Sequence, residues 1–302
     1  MTYHHIVTRF LAVALITFVS FFGPTADAGN DIDALNEEHA GFANRTIAFL
    51  DRMDALFFDR AEKLNGGLEL QTETMSSEYS DYDIKVTRGP VIEKGGRTIN
   101  ITKKPTRDFQ KPNVWGRYYL IDAHPKSPLV GMLHAAFVIQ FFPDGSSSIG
   151  GFLDVLRTAH KEEDLAFMRQ AMDEVYEKYG VDPEPHRQLS DEGHDEDDPL
   201  SMDNSRRRKT TRVGGSFYLA PLKTVNEENF SFMTEAYEAM LSSYLDVVER
   251  RMNTSFTDED LAAQDAMRKN WLEDRFFSDP FTTSVTPYEA WSLYSLPPEV
   301  KF

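Results

Sequence analysis

The 302-residue chain contains no cysteine. Disulfide bonds, thiolate metal sites and cysteine nucleophiles are therefore excluded together, so the fold must be held by its core alone. Basic residues are also scarce, because 32 Lys and Arg stand against 49 Asp and Glu and leave a formal net charge of -17. Binding of nucleic acid or of an anionic membrane surface requires a basic footprint. Neither is expected as a partner.

Long apolar runs are absent except near the start of the chain. The run at 10–22 is short for a membrane span, and Ala26 and Ala28 supply the small residues that a signal peptidase requires. We expect residues 1–28 to be a secretory signal peptide cleaved before Gly29, the alternative being an uncleaved membrane anchor. The remaining chain is then exported, periplasmic or secreted, and has no membrane span.

The hydrophobic pattern predicts an α+β protein. An N-terminal helical segment over 29–70 ends near Asn65-Gly66-Gly67, and residues 71–302 form the main domain. The predicted elements in chain order are a helix over 31–64, a hairpin-rich region over 83–101, strands over 114–121, 133–142 and 149–155, a helix over 160–179, a short strand over 214–219, helices over 229–252 and 261–275, and a last strand over 290–296.

An acidic segment interrupts this pattern at 182–204. It holds nine acidic residues and three prolines, and a basic run at 206–209 follows it closely. Such a composition cannot bury enough apolar surface to fold alone. The segment is predicted to be a solvated loop whose charges partly neutralise the basic run. The alternative is a cation site at 194–198, but its spacing matches no calcium loop.

His134 lies at the start of a predicted buried strand. Side chains alternate between the two faces of a strand, so one face of this strand begins with an imidazole and continues with Ala136, Val138 and Gln140. An imidazole at the edge of an apolar surface can transfer a proton, bind a metal or hydrogen-bond a carbonyl. The residues alone leave these alternatives open.

Six short segments, taken in order, resemble the oxygen-dependent coproporphyrinogen III oxidase family. They are VIEKGG at 91–96, HPKSPLVGMLHA at 124–135, GGF at 150–152, RVGGSFY at 212–218, YLDVVERR at 244–251 and SLPP at 295–298. The resemblance implies a large antiparallel sheet flanked by helices on both faces, a homodimer, and a cleft for a tetrapyrrole. It also implies that dioxygen, with no organic cofactor, converts two propionates of coproporphyrinogen III to vinyls and releases carbon dioxide.

The resemblance also implies site residues. His134 matches the proton-transfer histidine of the family, and His124 matches the histidine of its His-Pro turn, which we expect to bind substrate. No metal is implied. The family carries Asn and Arg where this chain has Ala136 and Val138, and two aspartates where this chain has Leu219 and Ala220.

Three arginines are candidates to replace the missing propionate-binding groups: Arg88, Arg157 and Arg212. Three functions follow for testing. The first is an enzyme of the oxidase type, and the second is a non-catalytic, exported binder of a tetrapyrrole or other flat hydrophobic ligand, with His134 or His124 able to ligate haem iron. The third is a protein that retains only the fold.

Overall fold

The structure is a computed structural model that describes residues 30–104, 111–192, 207–218, 223–277 and 286–302. The predicted signal peptide, the possible cation site at 194–198, and Leu219 and Ala220 lie outside these ranges. No helix in the described part of the chain is both long and apolar enough to cross a membrane.

Seven antiparallel strands form one sheet in which each strand pairs with the next along the chain. Short turns suffice for such a meander, and a Pro-Asp-Gly-Ser turn at 143–146 joins the fifth and sixth strands as the residue types predict. The strands are β1 (Glu69–Ser76), β2 (Ser80–Arg88), β3 (Ile92–Thr102), β4 (Trp115–Pro125), β5 (Leu133–Phe141), β6 (Ser147–Val155) and β7 (Gly215–Ser216).

Six helices within the described residues pack on this sheet. They are α1 (Glu37–Asn65), α2 (Glu162–Lys178), α3 (Pro183–Glu192), α4 (Glu227–Arg251), α5 (Asp258–Phe277) and α6 (Tyr288–Tyr294). The side chain of Asn36 accepts a hydrogen bond from the His39 N–H at the start of α1, and Gly66 ends that helix with a φ of 73°. Both ends therefore follow the ordinary chemistry of helix caps.

The helices cover both faces of the sheet. α1 and α4 pack on one face through a large apolar cluster that includes Phe49 and Phe137, and the Tyr237 hydroxyl donates to the Ala135 carbonyl there. α5 and α6 pack on the other face through a smaller cluster around Trp271 and Trp291. The predicted α+β fold with a large antiparallel sheet and helices on both faces is confirmed.

Two predictions of local structure are wrong. The first part of the acidic segment 182–204 is the helix α3, which is held by polar contacts: His186 Nδ1 lies 2.9 Å from the Ser216 carbonyl oxygen, and the Ser190 hydroxyl donates to Asp154 at 2.8 Å. The predicted strand over 290–296 is largely the helix α6, in which Trp291 and Tyr294 turn toward the sheet together. A segment of seven residues is too short for the spacing of its aromatic side chains to distinguish a helix from a strand.

The strand β1 is not among the predicted elements. Seven of its eight residues are exposed, so it has no alternation between apolar and polar positions that would indicate a strand. It is held mainly by its pairing with β2, and Met75 adds a contact with the smaller apolar cluster. The division of the chain into 29–70 and 71–302 stays a prediction, and β1 crosses that boundary.

Candidate functional site

His134 lies in a row of side chains that crosses three strands. It is directly opposite Asp122 of β4 on one side and Asp154 of β6 on the other. The Nδ1 atom of His134 lies 2.6 Å from Asp122 Oδ1, within hydrogen-bond distance, and the His134 side chain is 13% exposed. No other group among the described residues hydrogen-bonds to this imidazole. Its Nε2 atom is therefore open to a ligand or to water.

Two aromatic rings flank the imidazole. The ring of Phe152 on β6 lies 5.1 Å from the His134 ring centroid, and that of Trp271 on α5 lies 5.0 Å from it. Together with the hydrogen bond between His134 and Asp122, these rings restrict rotation of the His134 side chain. The imidazole is thus held in one orientation at the surface of the sheet.

Asp122 is almost fully buried, with 1% of its surface exposed. Its Oδ2 atom has no hydrogen-bond partner. On the far side of Asp122 the row continues to Gly96 of β3, where any side chain would collide with the backbone of Tyr294 in α6. Glycine is required there because α6 packs directly on the strand, and this packing is what removes Asp122 from water.

Asp154 is fully buried and accepts several hydrogen bonds. The donors are the Ser190 hydroxyl at 2.8 Å, the Thr211 hydroxyl at 3.0 Å, the Val155 N–H at 2.8 Å and the Val213 N–H. Burial raises the pKa of Asp154, and the hydrogen bonds oppose that rise. Since Ser190 belongs to α3, the helix in the acidic segment completes this end of the row.

A buried arginine lies beside the same aromatic rings. The guanidinium of Arg208 is 5.3 Å from the Phe152 ring centroid and 5.4 Å from that of Trp271. It forms an ion pair with Asp274 at 3.3 Å. This buried cation is therefore already matched by a carboxylate, as expected for a buried charge.

We call the face of the sheet that carries Asp122, His134 and Asp154 the polar face, and the opposite face the core face. Next to His134 the polar face has an apolar patch formed by Leu120, Ala136 and Val138. Several buried polar atoms on the same face have no hydrogen-bond partner: Thr98 Oγ1, Asn100 Oδ1, Asp122 Oδ2 and Ser148 Oγ. Such atoms are uncommon in a protein interior and are usually satisfied by water or a ligand. The polar face is therefore the surface best suited to hold one.

His124 is 1% exposed and lies beneath α6. Its Nε2–H donates to the Ser295 carbonyl at 2.9 Å, and the Trp271 indole N–H donates to the same oxygen at 3.2 Å. Burial, assisted by the nearby charge of Lys94, holds the pKa of His124 well below its ordinary value. The resemblance assigns this histidine to substrate binding, but in the structure its imidazole contacts a carbonyl of the protein itself.

Lys94 is the cross-strand neighbour of His124. Its ammonium donates to the carbonyls of Ser292 at 3.0 Å and Leu296 at 2.6 Å, at the C-terminal end of α6. Burial lowers the pKa of Lys94 to about 7; the charge of Arg88 acts in the same direction, and that of Asp122 opposes it. Lys94 and His124 together hold the end of α6 on the sheet.

The three candidate arginines are not brought together with His134. Arg157 and Arg212 both pair with Asp191 of α3, at 3.0 Å and 3.2 Å. Arg88 is exposed at the end of β2. No contact recorded among the described residues joins any of them to the imidazole. Their role in substrate binding stays a prediction.

Four residues near His134 were missed from the sequence: Asp122, Asp154, Trp271 and Arg208. Asp122 and Asp154 point to the same face of the sheet as His134. Their position directly beside His134, however, depends on the register in which β4, β5 and β6 pair. Arg208 belongs to the basic run, which the sequence reading treated as a solvated counterpart of the acidic segment. No group of three or more His, Asp or Glu side chains among the described residues is arranged to hold a metal ion.

Residues 117–302 match a protein-family profile described as coproporphyrinogen III oxidase. The oxygen-dependent coproporphyrinogen-III oxidase of Rickettsia bellii (strain OSU 85-389) is 26% identical over 233 residues, which cover 72% of this chain and 80% of the relative. The mitochondrial oxygen-dependent coproporphyrinogen-III oxidase of Mus musculus is 24% identical over 247 residues, which cover 78% of this chain and 53% of the relative. The match to the profile begins within β4 and includes the whole row from Asp122 to Asp154.

Proposed function

The chain belongs to the coproporphyrinogen III oxidase family, and from this premise we propose that it binds a porphyrinogen on the polar face and oxidatively decarboxylates its propionate side chains. The single observation that carries the proposal is the orientation of His134. Its Nδ1 is bonded to Asp122, its ring is held between Phe152 and Trp271, and its Nε2 has no partner among the described residues.

The reaction proposed for each propionate is balanced with dioxygen as the oxidant. The propionate loses carbon dioxide from its terminal carbon and a hydride equivalent from the carbon next to the ring, which leaves a vinyl group. Dioxygen takes up the two electrons and, with two protons in total, becomes hydrogen peroxide. No organic cofactor is required for this balance.

His134 is proposed to act as the proton-transfer residue. An imidazole exchanges protons near neutral pH, and removal of a proton from a pyrrole N–H would make the ring a better electron donor. The apolar patch of Leu120, Ala136 and Val138 lies beside that imidazole, but Ala136 and Val138 are each only 2% exposed, so a ligand reaches the patch only if the packing above it opens. A tetrapyrrole ring placed there would bring a pyrrole nitrogen toward His134.

Aerobic incubation of the purified protein with coproporphyrinogen III tests the proposal. We expect vinyl product, carbon dioxide and hydrogen peroxide in equal amounts. His134→Ala is expected to lower the turnover rate by about 10²- to 10⁴-fold, the usual contribution of a general acid or base. His39→Ala is the matched control, because His39 stacks on Phe141 away from this site. Absence of product from the wild-type protein, or equal turnover by the His134 variant, would contradict the proposal.

A second candidate function is binding of a tetrapyrrole without turnover. The observation that favours it is the charge around His134: the row contains Asp122 and Asp154, while Arg157 and Arg212 are paired with Asp191. Burying an ionised propionate without a cation costs far more than burying a neutral amide or hydroxyl without a partner, which itself costs roughly 2–7 kcal/mol. If no vinyl product forms but haemin gives a shifted Soret band that His134→Ala removes, binding alone is the function.

Export and dimerisation are part of the same proposal. The apolar run and the Ala-Asp-Ala site near the start of the chain support a periplasmic or secreted location. Mass spectrometry of the protein from its native cells should show an N-terminus at Gly29. The resemblance to the oxidases supports a homodimer, and light scattering should then give twice the mass of one chain. An intact N-terminus would contradict cleavage of the signal peptide, and a monomeric mass would contradict dimerisation.

A further inference from the structure

We propose that Asp122 is a positioning residue that keeps the neutral imidazole of His134 in the tautomer with its proton on Nδ1. In this tautomer Nε2 carries a lone pair and is a proton acceptor toward the ligand. The inference deepens the proposed function, because it assigns the direction of proton transfer at His134. Only the catalytic consequence of this inference rests on the proposed role of His134; the tautomer itself does not.

The direction of donation follows if Asp122 is ionised, which is a premise of the proposal. An ionised carboxylate accepts hydrogen bonds and cannot donate them, so the proton between the two residues then belongs to His134 Nδ1. The two atoms are 2.6 Å apart, which is short for a hydrogen bond from nitrogen to a carboxylate oxygen. Because Asp122 is 1% exposed, water does not compete for Oδ1.

No second carboxylate competes for the imidazole. Asp154, on the other side of His134, is occupied by the Ser190 and Thr211 hydroxyls and by the Val155 N–H. Asp122 has no such donors, since its Oδ2 is unpartnered and its Oδ1 is bonded to His134. The two aspartates therefore differ in role although they flank the same ring. Asp154 anchors α3, and Asp122 orients the histidine.

The surroundings keep Asp122 in place. Both it and His134 are on paired positions of β4 and β5, and α6 closes the space above Gly96 beside them. Other charged and titratable groups nearby include Lys94, Tyr237 and Tyr294, whose pKa values all respond to the charge of Asp122, and Arg208 with its partner Asp274. None of these groups is recorded in contact with His134 Nδ1.

Nitrogen-15 NMR of the imidazole tests this inference on the intact protein without any turnover. In the neutral form of His134 we expect a protonated, pyrrole-type Nδ1 resonance and an unprotonated, pyridine-type Nε2 resonance. A free neutral imidazole side chain prefers the opposite tautomer, so Asp122→Ala should move the population of His134 toward protonated Nε2. Asp154→Asn is the matched control and should leave the His134 tautomer unchanged.

The wild-type spectrum is decisive even if the Asp122 variant does not fold. A protonated Nε2 in neutral wild-type His134, or a tautomer that Asp122→Ala does not alter, would overturn the inference. In the turnover assay, Asp122→Ala should lower kcat by about 10²-fold or more with little change in KM, because the lost group acts on the proton-transfer residue. If the wild-type protein has no turnover, the proposed function fails while the NMR result still decides the inference.

Discussion

The two faces of the sheet differ in what their buried side chains do. On the core face, Phe137 packs on Phe49, and the Tyr237 and Tyr244 hydroxyls donate to strand carbonyls. On the polar face, one residue further along the same strands, buried polar atoms of Asn100 and Asp122 have no partner. Alternation along β4 and β5 thus separates a stabilising surface from a surface with unused binding capacity.

The difference shows that burial alone does not identify a core. Ala135 and Ala136 are both almost completely buried, yet they lie on opposite faces. Even the charged Arg97 is paired on the core face, with Asp54 at 3.0 Å and Asp83 at 3.3 Å. Unpaired polar atoms also occur on the core face, as at Trp115 Nε1, but the polar face combines several of them with the Asp122–His134 pair around an apolar patch. This arrangement is typical of a ligand site.

The largest expected effect is on the core face. Phe137→Ala should reduce the free energy of unfolding by about 3–5 kcal/mol, because it removes a large ring and leaves a cavity. Val138→Ala, the next residue and on the polar face, removes two methyl-sized groups and should lose about 1–2 kcal/mol. Urea unfolding measures both. Equal losses at the two positions would mean that the faces do not differ in packing.

The next effect concerns the docking of α6 on the polar face. Gly96→Ala should destabilise the protein by about 1–3 kcal/mol, because the added Cβ collides with the Tyr294 backbone. Gly41→Ala is the control, since it lies in α1 with nothing within 4 Å of the added Cβ. That control should be neutral or stabilising by about 0.5–1 kcal/mol. A neutral Gly96→Ala would contradict the close packing of α6 on β3.

A third effect is the pH dependence that Lys94 contributes. Its pKa falls from 10.5 to about 7 on folding, so between these values the unfolded chain binds more protons than the folded one. Stability should therefore rise with pH over this window, by about 1 kcal/mol per pH unit from this residue.

Lys94→Met removes the titrating group and should flatten the curve of unfolding free energy against pH between about 7 and 10. The comparison uses the slope, so any constant loss from the unpaired carbonyls of Ser292 and Leu296 does not affect it. Parallel curves for the wild type and the variant would show that Lys94 is not deprotonated by burial.

The smallest effect is expected at Arg157, whose side chain is 52% exposed. Arg157→Ala should change the free energy of unfolding by less than about 1 kcal/mol, as for other exposed ion pairs. The predicted role of Arg157 in holding a propionate implies that coproporphyrin III should bind the variant more weakly than the wild type, by well over two-fold. An unchanged affinity would contradict that role and leave Arg157 with its Asp191 pair alone.

The sequence was sufficient for the elements with strong local signals. The strands from 114 to 155 combine apolar runs with a Pro-Asp-Gly-Ser turn, and the long helices carry apolar stripes, which in α1 and α2 are followed by glycine. α3 was hidden because its stability comes from polar contacts with distant residues, such as Ser190 with Asp154. α6 was hidden because seven residues rich in aromatics suit either secondary structure.

The candidate site was predicted only at its centre. His134 is recognisable as a histidine that opens an apolar strand, and the family resemblance adds its role. Its partner Asp122 is twelve residues earlier, and the two meet only through the register of β4 with β5. The pairing of Arg157 with Asp191 likewise required knowledge that 183–192 is a helix. Local patterns do not contain such long-range geometry.

The most direct test of the difference between the faces is methyl NMR of the alanines in β5. Coproporphyrin III, the stable oxidised form of the proposed substrate, has an aromatic ring whose current shifts only nearby methyl resonances. If the tetrapyrrole lies on the polar face, its addition should move the Ala136 methyl strongly and leave the Ala135 methyl nearly unchanged. A larger shift at Ala135, or no shift at either methyl with saturating ligand, would contradict a tetrapyrrole site beside His134.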